Sequence, residues 1–415
     1  MSVLAKNGTL VLGGGFGGAH VARLLGAAGA TIVDPEAAML FTPLLPEVAA
    51  GAIEPRRVVV PLRMMCPHAV LVTGRAVALN EPSRTVTVRT ERDVVEIGFE
   101  RLVIALGSAP RMLPIPGLNE YALTLKGLGD AVHLRNHVVR KLESAEQDPT
   151  NAARYLSFVF VGAGYAGVEA LAELRQLAQD AVGYFPTLRH VRQRWVLVEA
   201  GPEILAEVPE ALASFTAAHL RRQGVEILTS STLRSVEADS VTLADGRRIE
   251  TETVVWTAGV APHPVIRSFG LPVDGRGRIV VDATLRVEGH TSIWALGDNA
   301  RVPNAATPGQ PDPPTCQHAV RQARTVVRSL RGDVAPYHYR SIGEGATLGR
   351  GRGIARIFGL PLRGRLGGFV TRAYHVSVVP SGSRRWRILS DWLLSVVLRR
   401  DIVELGSIEA QRVRP

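Results

Sequence analysis

Residues 9–34 read TLVLGGGFGGAHVARLLGAAGATIVD, and this stretch decides the fold class. Residues 9–12 form a short β-rich run of the kind found in a strand covered on both faces. Gly13, Gly15 and Gly18 follow in G-x-G-x-x-G spacing. Gly13 permits a tight turn, Gly15 lets a pyrophosphate approach the backbone, and Gly18 lets the next helix pack on the strand. Residues 19–25 read as that helix, with its N-terminus toward the phosphate charge. A second strand over residues 30–33 ends in Asp34, an acid suited to both hydroxyls of an adenosine ribose. A glycine triplet alone would equally suit a flexible loop. Strand, turn, helix, strand and acid in this order specify a dinucleotide-binding unit.

The pattern returns at LSFVFVGAGYAGVEALAEL, residues 156–174. Residues 158–161 read as a strand, Gly162, Gly164 and Gly167 repeat the spacing, and residues 168–174 continue as a helix. The next apolar run, RWVLVE, ends at Glu199, further along than the usual offset of about 20 residues. The intervening residues 179–193 read as helix and loop. Glu199 would repel a 2′-phosphate and so favours NADH over NADPH. The expected fold is α/β, with two Rossmann-like dinucleotide-binding domains. Two such domains suit a tightly held flavin and an exchangeable nicotinamide, between which a hydride can pass.

The 415 residues suffice for two or three domains with ordinary cores. Only two cysteines occur, Cys66 and Cys316, and no C-x-x-C, so neither a disulfide framework nor a thiolate zinc site is expected. No H-E-x-x-H or Cys/His cluster suggests any other metal. No apolar run reaches the roughly 18 residues of a spanning helix. The opening MSVLAKNGTLVLGGG lacks the parts of a signal peptide, which points to the cytoplasm. The formal net charge is +10, and it is unevenly placed. From residue 341 onward thirteen arginines and no lysine face five acids, so eight of the ten net charges lie there. Such a tail suits an anionic membrane surface, a nucleic acid, or merely a solvated face.

Beyond the glycine turns, several motifs carry a family resemblance. GGGFGG at residues 13–18, FTPLLPEVAAG at 41–51 and RLVIALGSAPRMLPIPGL at 101–118 stand in chain order. VVWTAGVAPHP at 254–264, TSIWALGDNA at 291–300, TCQHAVRQA at 315–323 and RRDIVELG at 399–406 follow. Together they resemble the type II NADH:quinone oxidoreductases, flavoproteins with two dinucleotide-binding domains. The resemblance covers nearly the whole chain. It implies an interleaved layout: an FAD-binding domain begun by residues 1–115 and resumed by 262–335, an NAD(H)-binding domain over 116–261, and a C-terminal membrane-association and dimerisation region over 336–415. It implies a hydride step from NADH to non-covalently bound FAD, then transfer of two electrons to a membrane quinone, menaquinone or ubiquinone.

The resemblance also supplies expectations residue by residue. Cofactor contacts are expected from Phe16, Gly17, Pro43, Leu44, Val77, Ala105, Gly107, Tyr165, Gly259 and Gly297, with Asp298 on the ribityl chain. Glu169 is expected near the nicotinamide, positioning it or handling a proton, although an acid there could equally serve the helix dipole. Gln317 is expected to donate a hydrogen bond near the flavin or a quinone carbonyl, against the alternative of a surface amide. His318 counts among the cofactor contacts and not as a proton donor, because a lone histidine is more often structural. Glu47 reads either as a carboxylate supporting the flavin segment or as a surface acid.

The tail RRWRILSDWLLSVVLRR, residues 384–400, reads as an amphipathic helix. Leu389, Trp392, Leu393, Val396 and Val397 line one side, and Arg387, Asp391, Ser395 and Arg399 another. Such helices more often pack on their own protein. Arginine pairs at both ends and tryptophans at 386 and 392 favour docking on anionic lipid at the cytoplasmic face of the cell membrane. The stretch GGFVTRAYHVSVVPSG before it holds fewer aromatics than the family pattern and is broken by Pro380 and Gly382. Contact between two copies is a further use for this region. Three rivals remain: a sulfide:quinone reductase, which needs two cysteines near the flavin; a ferredoxin or rubredoxin reductase, which has little use for the tail; and a basic flavoprotein resembling apoptosis-inducing factor. The last would spread its charge over a nucleic-acid groove; here the charge flanks an oily helix, so nucleic acid is not expected as a partner.

Overall fold

The computed structural model describes residues 3–398 and 400–406. The chain divides into two compact units, each built from separate stretches of sequence. The first comprises Met1–Leu40, Val59–Ala109 and Val260–Ser341; the second comprises Phe41–Val58, Pro110–Gly259 and the described residues from Ile342 onward. Both are α/β.

In the first unit the strand Thr9–Leu12 runs parallel between Thr31–Asp34 and Arg101–Ile104, and Ile293–Ala295 extends the parallel set. All four residues of Thr9–Leu12 are buried, because helices cover a doubly wound sheet on its faces. The long strand Val70–Asn80 joins Thr31–Asp34 in parallel and then turns into an antiparallel meander with Thr85–Thr90 and Val94–Gly98. Helix Phe16–Leu25 packs against helix Cys316–Leu330. The first of these starts three residues earlier than the glycine pattern suggested, directly on the turn.

The second unit is centred on a five-stranded parallel sheet. Its order is Ala122–Thr124, Thr253–Trp256, Ser157–Val161, Arg194–Val198, Val225–Leu228. Helix Tyr165–Ala181 continues into the stretch expected to hold helix and loop, and two 3-10 turns, Val182–Tyr184 and Pro186–His190, follow it. That insertion accounts for the long offset from the glycine turn to Glu199.

Residues 41–58 and the C-terminal region both group with this second unit. That differs from the sequence reading, which put the former in the FAD domain and set the latter apart. The cause is packing. Helix Leu45–Ala49 is buried throughout and lies against helices Leu128–Gln147 and Tyr165–Ala181. The antiparallel strands Gly343–Thr347, Gly353–Ile357 and Leu360–Arg363 carry helix Gly364–Val378, and the first of them rests on helix Tyr165–Ala181. After a break at Pro380 the last helix runs Gly382–Val397. Beyond it, Arg135 donates to the Asp401 carbonyl at 2.7 Å, and Asn136 bonds both the Leu405 N–H and the Gly406 carbonyl, so residues 401–406 are strapped to helix Leu128–Gln147.

No helix among the described residues is long and apolar enough to cross a membrane. The last helix is amphipathic, with a register that corrects the expected one. Ile388 is fully buried, Asp391 pairs with Arg57 at 3.4 Å, and the Trp392 indole N–H donates to Glu47 at 2.8 Å. Asp391 and Trp392 therefore both face the unit. Trp386 is 75% exposed and Leu393 69%, and Leu389 is exposed beside them. The side chains of Val396 and Val397, and residue Arg399, lie outside the described residues.

Candidate functional site

The first glycine turn forms a cradle in which each glycine has a distinct reason. Gly13 adopts φ +98°, and a Cβ there would lie 2.3 Å from the Ala105 carbonyl oxygen. A Cβ on Gly18 would lie 1.9 Å from the Gly13 carbonyl oxygen. Gly15 is the opposite case: a Cβ would meet nothing within 4 Å, so the space above the turn is open to a phosphate. Gly17 packs closely on Leu296. Asp34 ends its strand with one carboxylate oxygen on the Gly14 N–H at 2.5 Å and the other on the Glu36 N–H at 2.8 Å. Burial pushes the Asp34 carboxyl up, and these two N–H bonds oppose it.

The second turn repeats this construction. Gly162 has φ +101° with the backbone of residues 257 and 258 at 2.7 Å from its absent Cβ. Gly167 sits against the Gly162 carbonyl oxygen, and Gly164 faces open space. Glu199 accepts the Ala163 N–H at 2.6 Å and the Gly201 N–H at 2.8 Å. The middle residue of the turn and the residue two beyond the acid are the donors in both units. Glu199 thus occupies in its turn the position that Asp34 occupies in the first, despite the longer connection. Tyr165 starts the helix, and its hydroxyl bonds Glu344 at 3.3 Å.

Further along the first unit, Asp298 accepts the Ser108 hydroxyl at 2.6 Å, and Asn299 accepts the Gly107 N–H at 3.0 Å. Gln322 holds the Gly297 N–H at 2.7 Å and donates to the buried Asp312 at 2.9 Å. Sequence reasoning missed Asn299, Asp312 and Gln322; the only signal was that the two amides stand within quoted motifs. Gln317 accepts the Tyr339 hydroxyl at 3.2 Å and is half-buried, so it is no freely solvated amide. Its neighbour His318 bonds Thr315 through Nδ1 at 2.6 Å, and burial holds its pKa below the usual imidazole value. Val77 stands where the register of its strand slips, and its carbonyl accepts the Ser268 hydroxyl. In the second unit Pro43 and Leu44 form the 3-10 turn that leads into helix Leu45–Ala49, and Gly259 has φ +91°.

Glu169 lies in the second turn of helix Tyr165–Ala181 and is buried. It accepts the Thr347 N–H at 2.8 Å and the Thr347 hydroxyl at 3.2 Å. Burial pushes its carboxyl up to about 8, against the pull of those two bonds. Glu47 is 1% exposed, which removes the surface-acid reading. It accepts Arg372 at 2.8 Å and Trp392 at 2.8 Å. Glu173, Arg372 and Arg400 complete this group; the first two were not singled out from the sequence, and Arg400, expected there in an arginine pair facing lipid, is instead turned onto a buried acid. Arg372 reaches Glu173 at 3.4 Å and Arg400 reaches it at 3.5 Å.

Both cysteines are free. Burial pushes the Cys66 and Cys316 thiols each up to about 11, so neither is a thiolate at neutral pH. Among the described residues no group of three His, Cys, Asp or Glu side chains is placed to hold a metal ion.

Residues 8–323 match the pyridine nucleotide-disulphide oxidoreductase family. The demethylphylloquinone reductase NdbB of a Synechocystis species is 30% identical over 402 residues, which cover 92% of this chain and 95% of the relative. The type II NADH:quinone oxidoreductase Ndh of Mycobacterium tuberculosis is 25% identical over 419 residues, covering 95% and 89%. Among solved structures, NDH2 of Plasmodium falciparum in complex with NADH superposes with a TM-score of 0.89 over 96% of this chain and all of the other. At 17% identity that likeness speaks for the fold.

Proposed function

The chain belongs to the pyridine nucleotide-disulphide oxidoreductase family, among its type II NADH:quinone oxidoreductases, and from that premise we propose how its residues carry the reaction. It transfers the reducing equivalents of NADH, through a non-covalently held FAD, to a quinone. FAD supplies the chemistry of taking a hydride from NADH and passing two electrons to the acceptor. The observation that carries this reading is the duplicated cradle: two turns, each with an open central glycine and an acid clamped to the turn's own N–H.

The protein's part is to bind, orient and exclude. The Gly13–Gly18 turn and the helix start at Phe16 suit the FAD pyrophosphate, and Asp34 suits its ribose. Asp298, held by Ser108, and Gly107, held by Asn299, support the ribityl end. Val77, Ala105, Gly297, Pro43 and Leu44 are assigned the remaining flavin contacts. In the second unit Gly162, Gly164, Tyr165 and Gly167 take NADH, with Gly259 beside them and Glu199 against a 2′-phosphate. Gln317, steadied by Tyr339, is assigned the quinone carbonyl, with His318 as its fixed neighbour. Glu169 handles a proton, for which an acid kept protonated near neutral pH is suited. The exposed face of Trp386, Leu389 and Leu393, flanked by arginines, docks the enzyme on anionic lipid at the cytoplasmic membrane face, where the quinone is dissolved. The sulfide:quinone reading finds no support in two thiols held protonated by burial.

The test is anaerobic mixing. Flavin absorbance is followed after NADH, after NADPH, and then after a menaquinone or ubiquinone analogue. Fast bleaching by NADH, slow bleaching by NADPH and recovery on quinone are expected. Bleaching without recovery would move the acceptor to a protein, and no bleaching by either nucleotide would overturn the reading.

A further inference from the structure

One carboxylate is buried in the first unit with no guanidinium or ammonium beside it. Asp312 is 6% exposed, and among the described residues no arginine or lysine lies within ion-pair distance of it. Its basic neighbour is His318, whose Nε2 stands 3.9 Å away and whose pKa is lowered by burial. A buried charge met by neutral donors is costly, and asparagine would fill nearly the same space without it. The partners of Asp312 show what a carboxylate does here that an amide could not.

A carboxylate only accepts hydrogen bonds, whereas a side-chain amide donates at one end and accepts at the other. Asp312 has an amide on each oxygen: Asn304 donates to Oδ1 at 2.8 Å and Gln322 donates to Oδ2 at 2.9 Å. Both amides are themselves buried. Each turns its nitrogen to Asp312 and so its carbonyl elsewhere. The Gln322 carbonyl meets the Gly297 N–H at 2.7 Å, at the start of the 3-10 turn Gly297–Asn299. That turn carries Asp298 and Asn299, the partners of Ser108 and Gly107. The Asn304 carbonyl meets the Tyr339 N–H at 3.1 Å, and the second proton of its amide returns to the Tyr339 carbonyl at 2.8 Å. Tyr339 is clamped at its backbone, and its hydroxyl takes the carbonyl end of the Gln317 amide.

We propose that Asp312 is a positioning residue that sets the direction of two buried amides, one holding the turn assigned to the flavin, the other holding the tyrosine that orients Gln317 toward a quinone. The proposal deepens the quinone-reductase reading and rests on it for the second arm alone. Because Asp312 accepts twice, Gln322 presents an acceptor to Gly297 and Asn304 presents one to Tyr339. An asparagine in its place has a single oxygen. One of the two amides would then set N–H against N–H, or turn over and set its nitrogen against a backbone N–H. Either way a buried donor is left without an acceptor.

The experiment exchanges donor and acceptor along the first arm. The flavin-loaded protein is diluted, and FAD release is followed by its fluorescence. Asp312→Asn and Gln322→Glu each raise the FAD dissociation constant by at least about fivefold, the first through an unmatched N–H and the second through two facing carboxylates. The double variant Asp312→Asn, Gln322→Glu restores the order. The amide at 312 accepts from Asn304 and donates to the carboxylate at 322, which accepts the Gly297 N–H. Its dissociation constant returns to near the parent's. A double variant no better than the worse single, or single variants that hold FAD as the parent does, overturns the first arm. The second arm is read in the KM for a menaquinone analogue with FAD in excess. Asp312→Ala raises that KM at least about fivefold in the parent and adds nothing in a Tyr339→Phe background. Equal rises in both backgrounds overturn the second arm. Asn304→Ala, which frees the Tyr339 backbone, replaces Asp312→Ala if that variant does not fold. A parent that reduces no quinone overturns the functional reading and the second arm with it, while FAD release still decides the first.

Discussion

Single residues carry most of what this chain does, and two of them make sharp predictions. A Cβ on Gly18 would sit 1.9 Å from the Gly13 carbonyl oxygen, a backbone atom fixed by the first strand. Gly18→Ala therefore loses FAD, measured as the flavin-to-protein absorbance ratio of the purified protein. Glu169 gives a stability prediction whose sign can be worked out. Its carboxyl lies near 8 when folded and near 4.5 when exposed. Between those values the unfolded chain has already lost a proton that the folded one retains, so this group makes stability fall as pH rises from about 4.5 to about 8. Glu169→Gln removes that dependence. The melting temperature of the variant relative to the parent should climb steadily over the same range, read by calorimetry in matched buffers. A flat difference would mean that Glu169 is ionised throughout. Glu199 makes a third case: Glu199→Ser should narrow the preference for NADH over NADPH by at least about tenfold in kcat/KM, because a like-charge contact with a 2′-phosphate costs several kcal/mol.

At the scale of elements, the parts legible in the sequence were those fixed by neighbours along the chain. Gly13, Gly15 and Gly18 stand within six residues, and their spacing encodes a local geometry, so strand, turn, helix and acid could be read off. Glu199 was legible too, because the end of a strand is a local position whatever loop precedes it. Glu173 was not. Along its own helix it has no basic residue three or four positions away, and the arginines that pair with it lie 199 and 227 residues further on. The last helix shows the same limit. Its apolar residues were visible, but which of them faced inward depended on Glu47, some 345 residues earlier. Trp392, expected at a lipid surface, is instead a hydrogen-bond donor to a buried carboxylate. Trp392→Phe keeps the ring and removes the donor, leaving a Glu47 oxygen short of a partner; it should cost about 1–3 kcal/mol in denaturant unfolding. A lipid-facing tryptophan would show no such loss in the absence of membrane.

For the whole molecule, the two faces of the last helix do different work, and this determines how membrane docking must be tested. Removing residues 386–415 is the obvious experiment, and it confounds two effects. It takes away the exposed Trp386, Leu389 and Leu393, and it also strips Trp392 from Glu47 and Arg400 from Glu173. A truncated enzyme that lost quinone activity could have lost its membrane contact or the partners of two buried acids. The triple variant Trp386→Ser, Leu389→Ser, Leu393→Ser touches only the outward face. It should release the protein from anionic vesicles in a sedimentation assay while bleaching by NADH and turnover with a water-soluble short-chain quinone stay near the parent's. Binding should also weaken with rising salt, since arginines flank the apolar patch and their attraction to lipid headgroups is screened over about 10 Å at 0.1 M. If the triple variant still sediments with vesicles, the anchor lies elsewhere. If it instead changes a salt-insensitive dimer into a monomer, the oily face joins two copies and not the membrane.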